Sequence, residues 1–198
     1  LAPGELLARL DRHLLLLTGG ARDLPARQQT LRAMIDWSYG LLAAGNRRLF
    51  GRLAAFVGGW TLAAAEAVGE DGGAGEVLAG LAALADASLV GRAGDGTTSR
   101  YGMLETLREY GLERLGASGE ADAVRRRHAE HYLGLAERAM PMIDRGGPDQ
   151  AWWLAELERE QGNLRAALGW ALGGAGRAVG LRLAGALWPF WGARAHLN

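Results

Sequence analysis

The feature that constrains this chain most is a short interruption of helix. Ser88-Leu89-Val90 and Ser99-Arg100-Tyr101-Gly102-Met103 read as extended segments inside an otherwise helical, Ala- and Leu-rich sequence. Ala93-Gly94-Asp95-Gly96-Thr97-Thr98 between them carries the turn formers of a loop, and the second segment feeds at once into a helix pattern from Leu104. This is the outline of a β-wing pinned to helices, and it predicts a mainly α fold with a small β element. A winged helix either reads DNA or relays between domains, and its charges bear on which.

The helices around the wing follow from apolar spacing. Gly4 to Leu17 holds a lead-in candidate (Leu6, Leu7, Leu10, Leu14), closed by Gly19-Gly20 and the Asp23-Leu24-Pro25 break. Leu31, Met34, Ile35, Ser38, Leu41 and Leu42 recur at helical intervals. After Asn46, a fair N-cap, Leu49, Phe50, Leu53 and Phe56 repeat the pattern. Gly58-Gly59 breaks that helix, and Trp60 and Thr61 read as staple and N-cap for a third at Leu62 to Val68. The Gly69 to Gly75 loop leads to a fourth helix at Glu76 to Asp86. With the helix after Leu104, residues 27–117 form one winged-helix unit.

Beyond Gly116 no strand signal returns. Ser118 reads as the cap of a helix with Glu120 and Asp122 in its first turn, which Pro141 and Arg145-Gly146-Gly147-Pro148 end. A second helix is predicted from Asp149 to about Leu172, and after Gly173-Gly174-Ala175-Gly176 a third runs to Trp191. Short Gly turns and Trp152, Trp153, Trp170, Trp188 and Trp191 suggest that residues 118–198 begin a helical-repeat array, with the Trp cluster read as its packed core ahead of the alternative that it lines an apolar or cation-binding groove.

Composition removes several classes of chemistry. Without Cys there is no disulfide frame, thiolate zinc site or cysteine nucleophile, which fits a reducing cytoplasm. All 22 cationic residues are Arg, so the Lys of a Walker A loop is missing. His128 and His131 lie three apart but lack a third ligand, and they read as surface histidines rather than a metal site. Ser118 lacks the Gly-x-Ser-x-Gly elbow, so no catalytic set is expected. The longest uncharged apolar run, Leu53 to Ala65, falls short of the roughly 20 residues that span a bilayer, so no membrane role is expected. The chain opens at Leu1 without Met and stops just after a Trp-rich run, so it reads as part of a longer protein.

Several separated blocks carry a resemblance. Leu24-Pro25-Ala26-Arg27-Gln28-Gln29-Thr30-Leu31-Arg32-Ala33-Met34-Ile35-Asp36-Trp37-Ser38-Tyr39, Arg48-Leu49-Phe50 and Phe56-Val57-Gly58-Gly59-Trp60-Thr61 are followed by Leu104-Glu105-Thr106-Leu107-Arg108-Glu109-Tyr110 and Asn163-Leu164-Arg165-Ala166-Ala167-Leu168. In that order they resemble the winged-helix region of bacterial signal-transduction ATPases of the STAND class, the LuxR-type and AfsR-type transcriptional regulators. The resemblance implies a nucleotide-binding domain upstream, whose helical tail would be residues 1–26, then the winged helix, then tetratricopeptide-like repeats that engage an effector. ATP or ADP is implied for the upstream domain only, and no cofactor for this chain. Related NB-ARC switches bear Met-His-Asp at the strand-to-helix junction. The matching triplet here is Met103-Leu104-Glu105, where Leu104 has no donor for a phosphate. Met103, Glu105 and Arg108 are the expected interdomain contacts.

Charge bears on DNA. From Leu53 to Gly91 there is no basic residue, while Glu66, Glu70, Asp71, Glu76 and Asp86 fall in the stretch that would hold the groove-entering helix. Phosphate contacts come mainly from cations, so direct DNA binding is disfavoured and a protein–protein relay is the expected role. Arg47, Arg48, Arg52, Arg92 and Arg100 remain as candidates for backbone contact. Glu105, Glu109 and Glu113 repeat at i+4, and read as a solvated face partly balanced by Arg108 or as an edge that docks on a neighbour's Arg.

Overall fold

The computed structural model describes residues 26–69, 74–92, 99–174 and 176–195. The lead-in candidate at Gly4 to Leu17 and the loop from Ala93 to Thr98 lie outside those residues. The first helix, α1 (Ala26–Leu41), commits Ile35 to the core and leaves Met34, Trp37 and Leu41 exposed. Tyr110 anchors it by donating to Asp36 at 2.6 Å, and Arg32 reaches Glu113 at 2.5 Å. In α2 (Ala44–Leu53), Leu49, Phe50 and Leu53 share one buried face. Asn46 is not its cap. The Arg47 N–H already closes on the Ala43 carbonyl at 3.0 Å, so the first turn forms before Asn46 is reached.

Trp60 and Thr61 do more than staple and cap. They form β1 (Trp60–Thr61), which pairs antiparallel with β3 (Arg100–Gly102) in the register Trp60↔Tyr101, Thr61↔Arg100. Thr61 Oγ1 still accepts the Ala64 N–H at 3.2 Å and so starts α3 (Leu62–Gly69). Helix α4 (Ala74–Asp86) ends in a turn where Ser88 adopts φ 58° and the Leu89 and Val90 N–H groups both point to the Leu84 carbonyl. That turn puts Leu89 and Val90 into the core instead of a strand. Pairing begins at β2 (Gly91–Arg92), antiparallel to β3, and the sheet order is β1-β3-β2. Two helices between the first and second strands, with the antiparallel pairing of the second and third, complete a winged helix.

Helix α5 (Glu105–Ser118) crosses α2 closely because Gly111 has no side chain: a Cβ there would stand 2.7 Å from that of Ala54. Ser118 closes α5, donating to Leu115 O at 2.8 Å, so it does not cap α6 (Ala121–Asp144), whose N-cap position is Glu120 with no side-chain cap. Pro141 lies inside α6. It stands so near the end that it forfeits one hydrogen bond of the last turn, and its own carbonyl still accepts the Arg145 N–H. The single helix expected from Asp149 to Leu172 is broken at Glu160 into α7 (Gln150–Arg159) and α8 (Gln161–Leu172), and α9 (Arg177–Ala195) follows. Helix α6 packs on α8 and α9 and also on α3, so one apolar core runs from the winged helix into the hairpins. The Trp cluster is not all core. Trp152 on α7 is 58% exposed and Trp188 on α9 is 73% exposed, the latter because α9 commits Leu183, Leu187 and Phe190 to the interior from its other side. Among the described residues no helix is long and apolar enough to cross a membrane.

Candidate functional site: a buried polar joint beside the wing

The two units meet at a buried polar cluster built on Asn163. Its amide oxygen accepts the Val57 N–H at 2.7 Å and lies 3.3 Å from His128 Nε2, and its Nδ2 donates to Gly59 O at 2.9 Å and to Glu160 at 2.8 Å. One side chain thus pairs the backbone of the α2–β1 linker with α6 and with the α7–α8 break. Gly162 permits this approach, since a Cβ there would come within 2.9 Å of the Val57 carbonyl. The other oxygen of Glu160 takes a salt bridge from Arg100 on β3, with both side chains buried. The wing strand is therefore tied to the helical hairpins through a charged pair, and the linker through an amide.

Phe56 and Trp60 stack at 5.2 Å on the winged-helix side, and Phe56 meets the His128 ring at 5.1 Å. Burial pushes the His128 imidazole down to about 4, with its hydrogen bond to Asn163 acting the other way, so it is neutral at physiological pH. Burial is the largest influence on Arg100 and opposes its charge, but the hydrogen bond to Glu160 and that carboxylate's charge together outweigh it and move the guanidinium up. The Tyr132 hydroxyl is buried against the same carboxylate and moves up, from desolvation first and the Glu160 charge second.

These positions correct the reading of the basic residues. Arg100 is consumed by Glu160, and Arg52 is buried between Gly69 O and Glu120. Arg47, Arg48 and Arg92 remain exposed. Arg48 lies beside α4, where it lines a groove of about 360 Å³ with Asn46, Glu76 and Ala79. The outward face of α4 itself presents Glu76, Leu78, Ala79, Ala82, Ala85 and Asp86, with no side-chain hydrogen-bond donor.

Of the expected junction residues, Glu105 and Arg108 come together: Arg108 Nε and Nη2 donate to the Glu105 carboxylate at 2.7–3.0 Å. Met103 is half-buried against the core and Leu104 is exposed. The acidic edge is more than a solvated face, since Glu113 holds Arg32 of α1. His128 is not a surface histidine, and among the described residues no group of three metal-ligating side chains converges. Sequence reasoning missed the joint. Its signal was present in Glu160 and Asn163, two polar residues spaced with Leu164 and Ala167 on one helical face.

Comparison with known proteins adds a second line. Across its whole length the chain is 45% identical to a protein of Mycobacterium tuberculosis and to one of Mycobacterium bovis, each named "Putative HTH-type transcriptional regulator". These two relatives are transcriptional regulators by name. It is also 41% identical over 140 residues, 66% of the chain, to an uncharacterized protein of Mycobacterium tuberculosis, of which that match covers 34%. The chain spans about a fifth of the length of the regulators, 22%. No family model matches it, and no solved structure matches it significantly. The regulators' names overturn the expectation that direct DNA binding is disfavoured, because helix-turn-helix regulators are a DNA-binding class. The physical fault lay in summing charge along the chain: phosphates meet positions in space, and Arg48 comes from an earlier helix to stand beside α4.

Proposed function

We propose that this chain is the winged-helix and helical-hairpin segment of a transcriptional regulator, and that it touches duplex DNA through Arg47, Arg48 and Arg92. The observation that supports this reading best is the strand order β1-β3-β2 around the α3–α4 pair, in a chain whose relatives bear helix-turn-helix names. The face of α4 offers no side-chain donor to base edges and its only acceptors are carboxylates that the phosphates repel, so contact runs through phosphates and groove shape, with little base discrimination. Glu76 and Asp86 keep α4 itself from the backbone and shift contact to its flanks. In an electrophoretic mobility shift, replacing Arg48 and Arg92 together by Ala should weaken binding to every duplex alike. Unchanged affinity would refute the reading.

A second reading is favoured by the joint. The winged helix is tied so firmly to α6, α7 and α8 that motion of one unit must move the other, as a relay requires. On this reading the longer protein carries an upstream nucleotide-binding domain that uses ATP or ADP, this chain performs no catalysis, and repeats continuing from α9 engage an effector in the cytoplasm. Met103 and the Glu105–Arg108 pair would face the upstream domain. In the longer protein, Glu105→Ala with Arg108→Ala should then change nucleotide exchange. Unaltered affinity and exchange would remove the relay.

A further inference from the structure

We propose that the cleft between the α2–β1 linker and α8 binds a small organic carboxylate with a flat apolar body. The cleft holds about 300 Å³ and draws its walls from both units: Val57 from the linker, Arg108 from α5, Arg125 and His128 from α6, and Gly169 and Trp170 from α8. That volume suits a one- or two-ring metabolite. No carboxylate lines the cleft, whereas two guanidiniums do. Arg108 already carries Glu105, which leaves Arg125, exposed at the mouth, as the principal partner for an incoming anion. His128 is buried and turned to Asn163, so it adds polarity without charge.

The rest of the lining is apolar and fixed. The Trp170 ring lies over Gly176, where there is no room for a side chain, so the ring presents a held surface to the cleft. Gly169, beside Trp170 on the same helix, leaves that wall open: a Cβ built there meets nothing within 4 Å. A guanidinium at the mouth and an aromatic wall behind it match a planar carboxylate, and an inorganic anion would leave the apolar wall unused. Because the walls belong to both units, an occupant would brace the joint. The inference stands whether or not the chain contacts DNA.

Salicylate is the test ligand, titrated calorimetrically into the 198-residue chain, with salicylamide and inorganic phosphate as comparisons. Saturable 1:1 binding of salicylate is expected, with both comparisons at least about tenfold weaker, the loss of one charge-assisted contact. Arg125→Gln should weaken salicylate about tenfold, while Arg126→Gln, on the exposed neighbour paired with Glu130, should leave it unchanged. Gly169→Met fills the cleft and should abolish binding. If that variant fails to fold, the Arg125 and Arg126 pair decides. No saturable binding up to about 10 mM, equal binding of the amide, or equal effects at Arg125 and Arg126 would overturn the proposal.

Discussion

Replacing Asn163 by Ala is the sharpest test of the joint. The side chain is fully buried and bonds Val57 N–H, Gly59 C=O and Glu160. Truncation removes the partners of two backbone groups, the part-buried Val57 N–H and the buried Gly59 C=O, and each orphan costs about 1–3 kcal/mol. At about 2 kcal/mol for each of the two, a loss of roughly 4 kcal/mol is expected. At about 2–4 °C per kcal/mol for a chain of this length, the midpoint should fall by roughly 10 °C. Urea unfolding followed by circular dichroism and by tryptophan fluorescence measures the loss and tests a further point. With the linker freed, the two probes should cease to coincide as the units separate. Arg126→Ala, a surface control on the same molecule, should change nothing measurable. A loss under about 1 kcal/mol with coincident transitions would refute the reasoning.

His128 sets a pH dependence. Its ordinary value of 6.5 falls to about 4 in the fold, so between those values the unfolded chain takes up a proton that the folded chain refuses. Stability is whole above pH 6.5 and declines toward pH 4, by about 3 kcal/mol, with His131 acting in the same direction. His128→Gln should flatten that slope in urea titrations across pH, and an unchanged slope would place its origin elsewhere. Gly162→Val should push the Val57 carbonyl away and cost about 1–3 kcal/mol of overpacking, read as a lower thermal midpoint. An unchanged midpoint would mean the linker yields freely.

How much was legible follows from range. The apolar spacing of Leu49, Phe50 and Leu53 shows α2 directly, and the Gly and Thr residues after Val90 show the wing, because both signals are local. The first strand was hidden, since Trp60 and Thr61 are strand only through pairing with Tyr101 and Arg100 forty residues on. The cap at Asn46 failed because the Arg47 N–H closed on the Ala43 carbonyl first, and the one at Ser118 because its hydroxyl turned back to the Leu115 carbonyl of the preceding helix. The joint lay beyond local reading altogether: Arg100 looked like a free wing cation until Glu160 met it from another helix. Its trace was two polar residues on an apolar helix face, a pattern that shows a buried polar contact without showing its partner.

The central claim is that the winged helix meets DNA through its flanking arginines. Fluorescence anisotropy of a labelled duplex, titrated with the 198-residue chain across salt concentrations, tests it most directly. Three phosphate contacts predict a log–log slope of about −2.7, and Arg92→Ala should reduce its magnitude by about 1. No binding at low salt, or a slope that Arg92→Ala leaves untouched, would contradict the account.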